Sequence, residues 1–311
     1  MATSRREFLQ TATLLAATSA LRTPTQSAPA PIVVDTHLHC FAGLKDTRFL
    51  YHANAPYRPA SVATPEHLLQ CMDGAGVNFA IVVHPEPYQD DHRYLEYCLQ
   101  VGKGRLKGTC LVFADRPDSM AQLPRLAKRG DIVAVRMHAY APERLPPFGK
   151  PELRAFWKKA SDLGLAVQLH LEPHYAPHFE PFIREFASTK VIIDHLGRPF
   201  QGTREEHAVI VRWSRFPNTV MKIAALPQSS EYPYRQVGPV VKQLVDAYSP
   251  DRFIYGGGFG ETATPESYRA AREHIRSYLS HLKPEEQAKV FGLTAGKLFG
   301  FTTHPQGESN K

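Results

Sequence analysis

Long apolar runs are missing from this sequence. No stretch of about 18 residues is apolar throughout, so no segment reads as a membrane-spanning helix. Cysteine is scarce: Cys40, Cys71, Cys98 and Cys110 are the only four in 311 residues. That scarcity excludes a small disulfide-stapled scaffold, and with no C-x-x-C spacing the four read as buried thiols. Strong charge of one sign is absent as well. The chain has 37 Lys and Arg against 30 Asp and Glu, a net +7. Residues 31–311 hold 34 basic and 29 acidic groups, or +5, with no basic run, which is no footprint for nucleic acid. A composition that is 43% hydrophobic and 22% charged also excludes a disordered or collagen-like chain.

The first thirty residues stand apart. Ser4-Arg5-Arg6-Glu7-Phe8-Leu9 is followed by a weakly apolar run over 11–21. Paired arginines before such a run match the twin-arginine export pattern, and the run is too short and Thr-rich to span a bilayer. Ala28-Pro29-Ala30 offers small residues for cleavage. Residues 1–30 are therefore read as an export segment, sending a protein that folds first to the periplasm or another extracytoplasmic space. Residues 305–311 read as a polar tail.

The body alternates. Apolar, β-branched runs occur at 31–38, 77–84, 106–113, 132–138, 165–171, 190–195, 218–224 and 252–256. Most are apolar on both faces, as strands of a parallel sheet buried on each side must be. Helical patterns lie between them, including one that Thr64 caps and Pro65 opens, and others over 151–163, 238–248 and 265–282. Eight strands alternating with helices over 31–304 predict an α/β fold, a (β/α)8 barrel. The long insertion 41–61, rich in Tyr, Pro, Phe and His, follows the first strand and is expected to shape a pocket.

Polar residues collect at the C-terminal ends of these strands, where barrels place their chemistry. The first ends in His37 and His39, two apart and so on one face. His84 ends the second, Arg136 and His138 the fourth. Gln168, His170 and Glu172 share a face of the fifth, His195 ends the sixth and Lys222 lies on the seventh. Adjacent imidazoles at a barrel mouth resist burial unless a metal or anion satisfies them. His37, His39 and His170 can supply three nitrogens to Zn²⁺ and leave a fourth position open for water. Arg136 and Lys222 suit a substrate carboxylate or a developing oxyanion.

At this point the chain resembles the amidohydrolase-related metal-dependent hydrolases, in particular the lactonase branch around 2-pyrone-4,6-dicarboxylate lactonase and fuconolactonase-like enzymes. The resemblance runs over 31–300. It rests on Val34-Asp35-Thr36-His37-Leu38-His39, Val83-His84-Pro85, Val135-Arg136, Val167-Gln168-Leu169-His170, Ile193-Asp194-His195-Leu196-Gly197-Arg198-Pro199 and Lys222. It implies a metal-dependent hydrolase opening a lactone or similar cyclic ester. His37, His39 and His170 would hold a divalent metal, zinc by preference, although the branch also contains lactonases that act without metal. His195 would be the acid and base, and Arg136, His138, Lys222 and His84 would bind a small-molecule substrate; a homo-oligomer stays open. The sequence departs from the family at Tyr255-Gly256-Gly257-Gly258-Phe259-Gly260, where Gly258 stands in place of the eighth-strand aspartate. Water activation then falls to Glu261, Glu172 or His195. If it is lost, the chain becomes a decarboxylase-type lyase or a non-catalytic binder. The glycine run itself offers backbone N–H groups that could cradle an anion.

Overall fold

The computed structural model describes residues 31–224, 226 and 236–301, so the export segment and the polar tail lie outside the described residues. Eight parallel strands pair in chain order: β1 (Val34–Leu38), β2 (Phe79–Val83), β3 (Leu106–Leu111), β4 (Ile132–Ala139), β5 (Ala166–Leu171), β6 (Val191–Ile193), β7 (Thr219–Ile223) and β8 (Phe253–Tyr255). Across the seam between β8 and β1 the Thr36 hydroxyl donates to the Tyr255 carbonyl at 2.7 Å. The architecture is the expected (β/α)8 barrel. Helices follow the sequence signals closely. Thr64 caps Pro65–Ala75 by accepting from His67 N, and Gly76 ends it in the left-handed region. Pro151–Asp162 and Val237–Tyr248 match their patterns, while Pro265–Ser277 stops short of 282. All four cysteines are free and buried. Among the described residues no helix is long and apolar enough to cross a membrane.

Period-two alternation explains how one set of strands supplies both a core and a site. The lower barrel interior is apolar: Val34, Ile81, Val83, Ala134, Ala166, Ile192, Val220 and Ile254, closed from below by Ala295, Phe299 and Phe301. Two residues further along the strands the interior turns polar, with Arg136 above Ala134, Gln168 above Ala166, Asp194 above Ile192 and Lys222 above Val220. One more step gives His138 on β4 and His170 on β5, which lie opposite each other in register. The outward residues of the same strands, such as Val135, Met137, Val167 and Leu169, pack into the core under the helices.

Two strand ends break the period. On β1, three residues from Asp35 to Leu38 match two on β2, a bulge. The extra residue shifts the alternation, so Val34 joins the barrel interior while Leu38 joins the outer core. The second break follows β6, where His195, Leu196, Gly197 and Arg198 all have positive φ, at 53°, 59°, 70° and 51°. Alternation alone would turn His195 away from Asp194's side. The left-handed turn brings it back, and Gly197 N and Arg198 N close the turn on the Asp194 and His195 carbonyls at 2.9 Å each. Left-handed backbone costs an L-residue roughly 1–2 kcal/mol, so three such residues store several kcal/mol beside the site. Gly197 is held there for a further reason: a Cβ would lie 2.8 Å from Ile210 Cγ2. Gly197→Ala is expected to lower stability by about 2 kcal/mol or more, read as a melting temperature several degrees down. An unchanged melting temperature would show that the turn relaxes without cost.

Candidate active site

The upper ends of the strands enclose a cavity of about 570 Å³, lined by His37, His39, Arg136, His138, His170 and His195. Phe41, Tyr57 and Ser61 of the long insertion, with residues 257–262 after β8, form its rim. The imidazoles touch in a chain. Ring centroids lie 5.2 Å apart for His37 and His39, 4.5 Å for His37 and His195, 5.2 Å for His170 and His195, and 5.3 Å for His138 and His170.

All of these rings are held neutral by burial. It pulls His39 down to about 3 and His195 to about 4, and takes His37, His138 and His170 well below their ordinary value. Backbone partners set two tautomers. His39 Nδ1–H donates to the Val83 carbonyl at 2.7 Å and His195 Nδ1–H to the Ala224 carbonyl at 3.1 Å. Each therefore keeps its lone pair on Nε2. His138 Nδ1 and His170 Nδ1 share a hydrogen bond at 3.3 Å, which leaves His138 Nε2 buried without a partner.

Beneath the imidazoles lies a buried ionic layer centred on Asp194. Its Oδ2 accepts from Arg136 Nε at 3.1 Å, Arg136 Nη2 at 2.9 Å and Gln168 Nε2 at 2.9 Å. Its Oδ1 lies 3.0 Å from Lys222 Nζ and 3.5 Å from His37 Nδ1. Burial opposes ionisation of Asp194, but Lys222, His37 and Arg136 overcome it and hold the carboxyl well below the usual range. Two buried cations thus share one carboxylate, and the floor of the cavity keeps a positive bias.

Several residues expected at the site lie elsewhere. His84 is fully buried outside the cavity lining, with Nε2 on the Gln89 carbonyl at 2.9 Å and its ring 4.6 Å from His92. It supports the β2 end rather than substrate. Lys222 is buried under the site, paired with Asp194, and does not line the cavity. Glu172 shares the parity of Gln168 and His170, but β5 ends at Leu171 and the chain turns, with Tyr175 N closing on the Glu172 carbonyl. Its side chain faces Arg198 at 3.6 Å and His174 at 4.0 Å, outside the lining. Glu261 does line the cavity, at its exposed rim.

The glycine run has a different role from a ligand cradle. Gly257 N donates to Asp35 Oδ1 at 2.8 Å and Gly256 N to the Ile223 carbonyl at 3.0 Å, so the anion it holds is the protein's own. Asp35 also accepts from His37 N at 2.9 Å and Tyr268 Oη at 2.6 Å. At Gly258, φ is +119° and a Cβ would meet Tyr268 Cδ2 at 2.9 Å and Ala271 Cβ at 3.0 Å. A side chain there would point into the helix layer, away from the histidines.

Sequence reasoning missed three contributors. Asp194 was visible beside His195, yet only the structure shows it facing inward. Glu86, just past β2, is a buried carboxylate of the lining; it accepts from the Tyr140 hydroxyl and pairs with Arg144 Nε at 3.3 Å. Tyr140 packs its ring 4.5 Å from His170. The available signal was a polar residue within a few positions of a strand end, which strict alternation passes over.

Known proteins bear on this site through fold and family. No curated protein matches the chain. Solved structures do. One is a probable 2-pyrone-4,6-dicarboxylic acid hydrolase from Acinetobacter baumannii with citric acid bound, at 22% identity and TM-score 0.69, covering 86% of this chain and 99% of that one. Another is an amidohydrolase from Burkholderia multivorans with bound zinc, at 15% identity and TM-score 0.67, covering 86% and 99%. A third is a 2,6-dihydroxybenzoate decarboxylase, at 12% identity and TM-score 0.59, covering 87% and 99%. At these identities they share the fold. The family model described as amidohydrolase matches residues 34–301, and the chain belongs to that family.

Proposed function

We propose that the protein is a hydrolase that opens a small lactone or similar cyclic ester carrying a carboxylate. The observation that carries this reading is the convergence of His37, His39, His170 and His195, all neutral, on one cavity above a positively biased floor. Arg136 donates Nε and Nη2 to Asp194, which leaves Nη1 as the donor for an anionic substrate group.

The imidazoles are donors of the kind a divalent metal takes. Metal-binding histidines characteristically fix their tautomer by donating the other ring N–H to a carbonyl or carboxylate, as His39 does. Among the described residues, the trio whose donor atoms all lie within 4.8 Å of one another is His37, Asp194 and His195, a spacing that His37, His39 and His170 do not meet. Asp194 is unsuited to a metal, because Lys222, Arg136 and Gln168 already engage both oxygens. In this reading His37, His39 and His170 would hold the ion, zinc first. Bound there, it would supply Lewis acidity toward the ester carbonyl and a more acidic water.

The chain's own groups do the rest. His195 Nε2 accepts the proton of the attacking water, and Asp194 steadies the resulting imidazolium. The acyl–oxygen bond of the ring breaks, and His195 returns the proton to the departing alkoxide. Tyr57 and Phe41 supply apolar surface at the cavity rim, against which the substrate ring can rest.

A lactone panel with His195→Gln as control tests the reading. Turnover by the wild type and a fall in kcat of about 10²–10⁴ in the variant are expected. Release of CO₂ from aromatic carboxylates without any lactone opening would put a decarboxylase in its place.

A further inference from the structure

Next to the mouth cavity lies a second one, of about 440 Å³, between the loops that follow β2, β3 and β4. Glu86 and His138 line both cavities, so they form a common wall. The side cavity is apolar over much of its surface, through Leu111, Val112, Phe113, Met137, Leu145 and Pro146. Most of its charged neighbours are already engaged: Arg144 pairs with Glu86 at 3.3 Å, and the Arg116 guanidinium sits 3.8 Å over the Phe113 ring. Asp115, exposed at the outer edge of the lining, is the charge left over, so what the inner part of the side cavity offers a ligand is an apolar wall. A second, independent feature sits at the boundary. His138 is more than nine-tenths buried, yet its Nε2 has no partner. A buried polar atom left unpaired is costly, and one on the wall between two cavities is suited to a ligand that sets a hydrogen-bonding atom of its ring against it, where the arm leaves the ring.

We infer that the site is two-chambered and that its substrate is bipartite: a carboxylated lactone ring in the mouth cavity, carrying an apolar alkyl arm that runs past His138 into the side cavity. This rests on the lactone reading above and adds the substrate's second half. In it, His138 is a contact at the junction rather than an acid or base, and the loops after β3 and β4 set specificity.

The test compares 5-oxotetrahydrofuran-3-carboxylate with its 2-pentyl derivative by calorimetry and by turnover. A fully buried methylene is worth about fourfold in affinity, so even partial burial of the arm is expected to tighten binding by at least about tenfold. Ala114→Trp, which fills the side cavity, is expected to abolish that advantage while the arm-less compound binds as before. Leu145→Trp, at the exposed rim where misfolding is not at issue, is expected to reduce it in the same direction. Equal affinity for the two compounds, or an advantage that survives both variants, overturns the inference. The ratio of dissociation constants reads this inference and turnover reads the lactone chemistry. Binding with the expected ratio but no ring opening sinks hydrolysis and keeps the two chambers, whereas ring opening with a ratio of one does the reverse. Failure of both compounds to bind overturns both.

Discussion

Taken from pH 7.5 to pH 5.5, the protein is expected to lose several kcal/mol of stability, a large part of what a domain ordinarily has. The cause is the buried histidines. His37, His39, His84, His138, His170 and His195 all titrate, when folded, well below the ordinary imidazole value of 6.5, driven first by burial. Unfolded, each takes up a proton near pH 6.5; folded, each refuses it. The unfolded state therefore binds more protons throughout this window, and stability falls as pH falls. Each group contributes on the order of 1 kcal/mol over the two units, and six add to several kcal/mol. His92 and His207 are lowered for the same reason and act in the same direction. Thermal melts across pH 5–8 measure this. A melting temperature constant from pH 7.5 to 5.5 would mean that the folded cavity accepts imidazolium, and the neutral cluster on which the proposed chemistry depends would not exist.

How much of this could be read from the chain follows from where alternation holds. Ala134, Arg136 and His138 on β4, and Ala166, Gln168 and His170 on β5, step from core to ionic layer to cavity at intervals of two. Simple alternation suffices to read those strands. His37 and His39 face the cavity, but the β1 bulge, not the regular pleat, sets their direction relative to Val34. His195 was legible as a strand-end histidine, but its direction was not, because a left-handed turn overrides the alternation that would have turned it outward. Glu172 shows the converse: its parity is right, but the strand ends one residue too early. Lys222 has the right parity at the wrong height, one layer below the cavity, and depth along a strand cannot be read from type alone. Glu86 lies in the turn after β2, where no period applies.

The ionic layer ties the site to the fold, and Asp194→Asn is expected to damage both. The substitution keeps an acceptor for Arg136 or Gln168 but removes the only carboxylate that either Arg136 or Lys222 contacts among the described residues. Both cations are almost completely buried, so neither can turn to water. Removing one partner of a buried pair characteristically costs about 3–5 kcal/mol, because the charge left behind stays desolvated. Turnover is expected to fall as well, since Asp194 is the anion that faces His37 and supports His195. Lys222→Met in the same background separates the two effects. With one cation gone, Arg136 retains the Asn carbonyl and the layer is no longer left with two uncompensated charges. The double variant is expected to regain roughly half of the lost stability, measured by urea denaturation, and to stay inactive. Such a result is a coupling energy between residues 194 and 222, of the size that contacting charges in one network show. If the double variant instead loses the sum of the two single losses, Lys222 and Asp194 act independently. The positive bias attributed to the cavity floor would then need another origin.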